Sequence, residues 1–271
     1  MLVLDDSTKV LIDSSSKGNQ KKFYSNCIWI KLDNEKCSEG LAEDFTSKFC
    51  ACIYDFPYVQ YESSQFEYKD DIYNGCYSRN MYNRQDIIFI SFRNLLKQWN
   101  VQQNIFFIND SIEVNIKNVI NLVYEKLGLN LLDYFRRLLM LDCLIINEDR
   151  HLMNIGVCYC KSDGRYYEAP CFDNGSSLFC TNWTYRKRKT FEENIDFAKS
   201  VARPFSKFYD KNLQALLNLG CNPLRISRQG IENLLATYHN SLYSDELNMR
   251  VKQVLVNRLN YYQNKHKFYL Y

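Results

Sequence analysis

Apolar and polar positions alternate with period two through much of the first hundred residues, the signature of half-buried strands. Lys22 to Asn26 and Cys27 to Asp33 form two such segments. In the second, Ile28, Ile30 and Leu32 share one face, and Trp29 and Lys31 take the other. From Ser38 the period changes to that of a helix, with Leu41, Ala42, Phe45, Phe49, Cys52 and Ile53 on one side. Ser38 reads as its N-cap, Glu39 suits the first turn, and Pro57 is the expected stop. Tyr58 to Glu62 and Tyr73 to Tyr77 read as further strands.

The second half carries mainly helical spacing. Ile112 to Leu127 is amphipathic and meets Gly128, a residue suited to a helix C-terminus. Leu131 to Cys143 is apolar on nearly every side, as a buried helix would be. Two short strands, Ile155 to Tyr159 and Arg165 to Ala169, flank Lys161-Ser162-Asp163-Gly164, whose Asp-Gly marks a tight hairpin. Three or four amphipathic helices fill the chain from Phe191 onward. The pattern predicts an α+β fold: one domain of two lobes, a β-rich lobe with one helix over about residues 1–100 and a helical lobe over about 101–271.

Composition narrows the function. Across 271 residues, 46% are hydrophobic and 24% charged, which is globular rather than disordered. A net charge of +3 is too mild for a nucleic-acid binder, so no nucleic-acid partner is expected. The run Arg186-Lys187-Arg188-Lys189 is the local exception, read as a solvated loop or an acidic-partner contact. Eleven cysteines form no disulfide framework, and neither Cys50-Ala51-Cys52 nor Cys158-Tyr159-Cys160 has a histidine at zinc spacing. Free thiols suit a reducing compartment. The acidic start, without a leader-like segment, and the lack of a long apolar run predict a protein without a transmembrane segment, cytoplasmic or delivered without a cleavable signal peptide.

Two segments carry the chemistry: Asn147-Glu148-Asp149-Arg150-His151-Leu152-Met153-Asn154-Ile155-Gly156, and Phe172-Asp173-Asn174-Gly175-Ser176-Ser177-Leu178. The first joins the buried helix to the hairpin and the second follows the hairpin's partner strand, so pairing brings them together. Two carboxylates and a carboxamide converging there make an all-oxygen site suited to Mg²⁺. Phosphoryl transfer needs such a metal clamp and a carboxylate that orients the accepting hydroxyl. Asp149 precedes Asn154 by five residues, the spacing of a kinase catalytic loop, with Asp173 in the place of the later metal-binding Asp. Arg150 and His151 follow the catalytic Asp instead of preceding it, and the Gly after Asp173 is displaced by one residue.

D-R-H-x-x-N-x-G followed by F-D-N-G-S-S-L resembles the HipA-like kinases, which share a distantly related fold with phosphatidylinositol 3- and 4-kinases, and among them the short bacterial CtkA-type proinflammatory Ser/Thr kinases. The resemblance implies a two-lobed kinase fold that uses ATP and Mg²⁺ and a protein substrate, a host protein among the candidates. It implies Asp149 as catalytic base, Asn154 and Asp173 as Mg²⁺ ligands, and His151 as a support of the catalytic loop. Lys31 resembles the strand lysine that contacts ATP phosphates, with Glu43, or one turn earlier Glu39, as its helix partner. Ser14 to Lys22 resembles a phosphate-binding loop, making Ser16, Gly18 and Lys22 candidate nucleotide contacts and Ser14, Ser15 and Ser16 candidate autophosphorylation sites. Tyr77 to Met81, with Tyr77 and Arg79 as candidate contacts, is the expected hinge beside adenine. Two alternatives stand beside a protein kinase: a phosphoinositide or small-molecule kinase on the same scaffold, and a non-catalytic module of the toxin–antitoxin kind.

Overall fold

The computed structural model describes residues 2–4, 9–10, 20–81, 84–181, 185, 188–264 and 269–270. Its first lobe grows from two tight hairpins. β3 (Lys22–Ser25) and β4 (Ile28–Leu32) turn through Asn26 and Cys27, both with positive φ, the backbone of a two-residue hairpin turn that suits Asn. The register sets Lys22 opposite Lys31 and Phe23 opposite Ile30. β5 (Tyr61–Tyr68) and β6 (Asp71–Arg79) turn likewise through Lys69 and Asp70. With β1 (Leu2–Val3) and β2 (Lys9–Val10) they complete a six-stranded sheet in the order β1-β5-β6-β4-β3-β2. β5 reaches further than its alternation predicts, because Ser63, Ser64 and Gln65 interrupt the apolar pattern while keeping the pairing with β6.

α1 (Glu39–Cys50) packs on β5 and β6, and two glycines set the spacing here. A Cβ on Gly40 would stand 2.7 Å from the Gly75 carbonyl carbon, and one on Gly75 would stand 2.2 Å from the Lys31 carbonyl oxygen. Hydrogen at Gly40 lets the helix lie this near the sheet, and hydrogen at Gly75 lets β6 lie this close to β4. Two details of α1 differ from the sequence pattern. Ser38 makes no side-chain cap; the Asp33 carboxylate instead accepts from the Gly40 amide at 2.7 Å. Pro57 does not stop the helix, which ends at Cys50 in a turn of its own.

By sheet membership the chain crosses to the second lobe between Arg79 and Ile87. β7 (Ile87–Ser91) pairs with the hairpin of β8 (Gly156–Cys160) and β9 (Arg165–Glu168) in a separate three-stranded sheet. α2 (Phe92–Gln98) follows directly, so a second helix lies within the first hundred residues. α3 (Ile112–Leu127) ends on Gly128 at φ 70, as its sequence predicts. The centre of the lobe is α4 (Leu132–Ile145), buried nearly all round and packed by α6 (Tyr209–Asn218) and α8 (Asp245–Asn264). α5 (Phe191–Asp196) and α7 (Arg228–Thr237) complete the helices, and β10 (Arg225–Ile226) and β11 (Tyr269–Leu270) form a short pair. No helix of the described residues is long and apolar enough to cross a membrane.

One hydrophobic core runs from α1 through α4 to α8, so the helix facing the cleft shares its packing with the second lobe. Phe45, fully buried, meets Tyr238 edge to face at 4.9 Å between ring centroids. Replacing Phe45 by Ala should therefore cost about 3–5 kcal/mol in chemical denaturation. A loss below about 1 kcal/mol would mean that α1 is not part of the shared core.

Candidate active site

The β3–β4 register, the close approach of α1 and the hairpin exit converge on Asp173. Lys31, only 8% exposed on β4, places Nζ 2.5 Å from Glu43 Oε1 and 2.5 Å from Asp173 Oδ1. Lys22, opposite it on β3, stands 3.8 Å from Asp173 Oδ2. Glu43 is fully buried and its second oxygen accepts from the Asn174 amide at 2.9 Å. One carboxylate therefore holds both the strand lysine and the backbone beside Asp173. Glu43 is the partner of Lys31, while Glu39 lies against Gly175, with burial pushing its carboxyl up to about 7.

Charge follows this geometry. Burial alone would raise the Asp173 carboxyl, but Lys22 and Lys31 outweigh it and hold the group far below the usual carboxylate range. Burial likewise opposes charge on Lys31, and Asp173 and Glu43 more than restore it, raising the ammonium well above its ordinary value. Asp173 itself adopts φ 57, an uncommon backbone for a residue with a side chain. The main chain just before it is tied to the first lobe: Cys171 donates to Pro57 O and accepts from the Val59 amide, each at 2.8 Å.

The catalytic-loop candidates lie on the facing wall. α4 ends with Ile146 in the left-handed region, which turns the chain sharply toward the cleft. The Asp149 amide donates to Asn147 Oδ1 at 3.0 Å, and its carbonyl accepts from the His151 amide and from Asn154 Nδ2. No described residue donates a hydrogen bond to the Asp149 carboxylate, which leaves it free to accept a proton. Burial raises this carboxyl above the ordinary Asp value; His151 opposes the shift and Asp173 adds to it. His151 Nδ1 accepts from the Met153 amide, so the ring proton belongs on Nε2, 3.9 Å from Asp149 Oδ2. No described residue donates a hydrogen bond to the Asn154 carboxamide oxygen, while its Nδ2 donates to Asp149 O.

Beside these walls lies a cavity of about 450 Å³. Its lining combines the polar side chains of Lys22, Lys31, His151, Asn154 and Asp173 with the apolar ones of Val59, Met81, Ile87, Phe89, Met153 and Phe172. Phe89 and Phe172 meet edge to face at 4.9 Å. Arg79 lines the cavity with Asn80 and Met81, as the expected hinge requires, but Tyr77 does not: its hydroxyl donates to Glu62 on the other face of the sheet. Ser14, Ser15, Ser16 and Gly18 lie outside the described residues, as do Arg186 and Lys187. Asp149 itself is not in this lining, although His151 and Asn154 of the same loop are, and larger grooves of about 810 and 820 Å³ elsewhere gather none of Lys31, Asn154 or Asp173.

Among the described residues no three His, Cys, Asp or Glu side chains form a closed metal cage. What the cavity offers instead is open and all-oxygen: an ionised Asp173 and the spare oxygen of Asn154. Such a set fits Mg²⁺, whose shell is completed by water and substrate phosphates.

The sequence pattern did not single out Arg150 and Asp142. Arg150 is 1% exposed; its Nη2 lies 2.8 Å from Asp142 Oδ1 and 2.6 Å from Asn174 Oδ1, and its Nη1 donates to Phe172 O at 2.7 Å. One guanidinium thus binds the residues on both sides of Asp173, directly beside Asp149 in sequence. It sets the spacing between the candidate base and the candidate metal ligand. An Asp in the otherwise apolar run Leu138-Leu139-Met140-Leu141-Asp142 was the readable sign. Arg150→Met should cost about 3–5 kcal/mol, because Asp142 is left buried and unpaired. Arg150→Met with Asp142→Leu should recover part of that loss. Equal stability of Arg150→Met and wild type in urea would show that the pair does not organise the loop.

No family model matches the sequence, and no curated protein matches it. Solved structures do match its fold. The crystal structure of a Helicobacter pylori proinflammatory kinase, CtkA, aligns with a TM-score of 0.61 at 13% sequence identity, covering 96% of this chain and 94% of that one. The chain has a kinase-like fold, a β-sheet lobe and a helical lobe with the candidate site between them.

Proposed function

We propose that this chain is an ATP- and Mg²⁺-dependent phosphotransferase, a protein Ser/Thr kinase. The observation that supports it most is the buried Lys31, shared by Glu43 and Asp173, in the lining of a cavity that also has several apolar side chains. A nucleotide complements such a lining, with a flat apolar base and a polyanionic tail.

Adenine would occupy the slot between Val59, Met81, Phe89 and Phe172, with the phosphates directed at Lys31 and Lys22. Glu43 holds Lys31 in place, so the ammonium is fixed before nucleotide arrives. Asn154 and Asp173 would hold Mg²⁺, which when bound neutralises charge building on the phosphates. Asp149 would orient the acceptor hydroxyl and take its proton, and its carboxylate is free to do so. Its raised pKa suits this role, since a base works best with a pKa drawn toward the working pH.

Asp149→Asn should lower transfer of labelled phosphate from ATP to a protein acceptor by about 10²–10⁴-fold with little loss of folding. Activity within a few-fold of wild type would remove Asp149 from this role. The pH profile gives a second measure. The active form is the carboxylate, lost as pH falls through a pKa that lies above the ordinary Asp value of about 3.9. The acid limb of kcat/KM should therefore fall above pH 4 and be absent from the residual activity of Asp149→Asn. An acid limb shared by both proteins would assign it to another group.

A further inference from the structure

The main chain between α5 and α6 contributes no residue to the cavity lining, yet it is fastened to the residue before the candidate base. The Glu148 carbonyl oxygen accepts from the Val201 amide at 2.8 Å and the Ala202 amide at 3.1 Å, with Ser200 Oγ also 3.1 Å away. Asp149 and Ala202 pair as an isolated parallel bridge. The Ser200 amide donates to Lys207 O at 2.9 Å, which closes the segment into a loop. Its backbone is thus held beside Asp149 as firmly as a strand in a sheet.

What the loop presents is outward-facing and basic. Val201 is 58% exposed, and Lys199 and Arg203, two residues on either side of it, are exposed and form no ion pair with a described residue. An exposed apolar side chain between two unpaired cations, one strand-width from a catalytic carboxylate, has no role in folding. Charge left unpaired there complements an acidic ligand.

We propose that residues 199–203 bind the acceptor, so that the preferred substrate is a polypeptide whose Ser or Thr is flanked by an acidic residue and an apolar one. Val201 takes the apolar side chain, and Lys199 and Arg203 take the carboxylate. The proposal rests on the kinase reading above. A peptide is the occupant argued for because the segment is pinned through its main chain beside Asp149, where an extended acceptor chain would bring a hydroxyl to the carboxylate, and its neighbouring rings already carry lysines. Lys189 Nζ lies 3.7 Å from the centroid of the Phe197 ring, and Lys207 and Lys211 each lie 5.2 Å from that of Phe208.

The test uses the full chain with Mg-ATP and paired Ser peptides that differ only in acidic or basic flanking residues, beside anionic phosphoinositide vesicles. Wild type should favour the acidic peptide in kcat/KM by about tenfold, the scale of one or two partly exposed charge pairs. Lys199→Glu with Arg203→Glu should reverse that preference while ATP affinity, measured by calorimetry, stays as in wild type. An unchanged preference in the double variant, with transfer intact, overturns the role of this segment and leaves the kinase reading standing. Phosphorylation of the vesicles and not of either peptide also overturns it, in favour of a lipid acceptor. Absence of transfer from ATP to any acceptor overturns both readings together.

Discussion

A lysine ammonium held in a nearly dry cleft by two carboxylates is the constraint on which the rest of this structure depends. Taking Lys31 out of water is costly unless the charge is compensated. Glu43 and Asp173 supply that compensation from opposite lobes, and each needs its own support. Glu43 reaches the lysine because Gly40 lets α1 lie against β6. Asp173 reaches it because Cys171 is tied to residues 57–59 and Arg150 holds Phe172 and Asn174. The ionic contact is therefore also a mechanical one, joining sheet, helix and catalytic loop at a single point.

That arrangement has a consequence for dynamics. α1 shares its core with the second lobe and is gripped on its far side: Asp44 accepts from the Tyr238 hydroxyl, and Asp33 accepts from that of Tyr243, both at 2.8 Å. These contacts hold α1 against the second lobe and keep Glu43 beside Lys31. A charged group fixed in this way meets its reorganisation cost during folding rather than at a later binding event.

Much of the site was legible because its chemistry is written in short segments. Asp149 and Asn154 stand at a spacing that a loop alone imposes, and alternation in β4 put Lys31 on a face apart from the isoleucines. Other features depend on tertiary contact and left little trace. Tyr77 was expected beside adenine, but it stands opposite Ile30, on the face away from Lys31, and donates to Glu62. Ser38 had the chemistry of a cap, yet Asp33 was nearer to the Gly40 amide. Pro57 stood where a helix could stop, but the helix had already ended at Cys50. Arg150 looked like one member of a motif, and only the folded chain shows it joining α4 to both sides of Asp173. The fold followed the same rule: strongly periodic α3 lay where the pattern put it, while β5, with polar residues in its middle, ran further than its pattern suggested.

Calorimetric titration of the full chain with Mg-ATP measures directly whether this cleft holds nucleotide through Lys31. One nucleotide per chain is expected for wild type, and binding weakened at least tenfold in Lys31→Ala, with its folding checked by circular dichroism. Equal affinity in the two proteins, or no binding by either, would contradict nucleotide binding through Lys31.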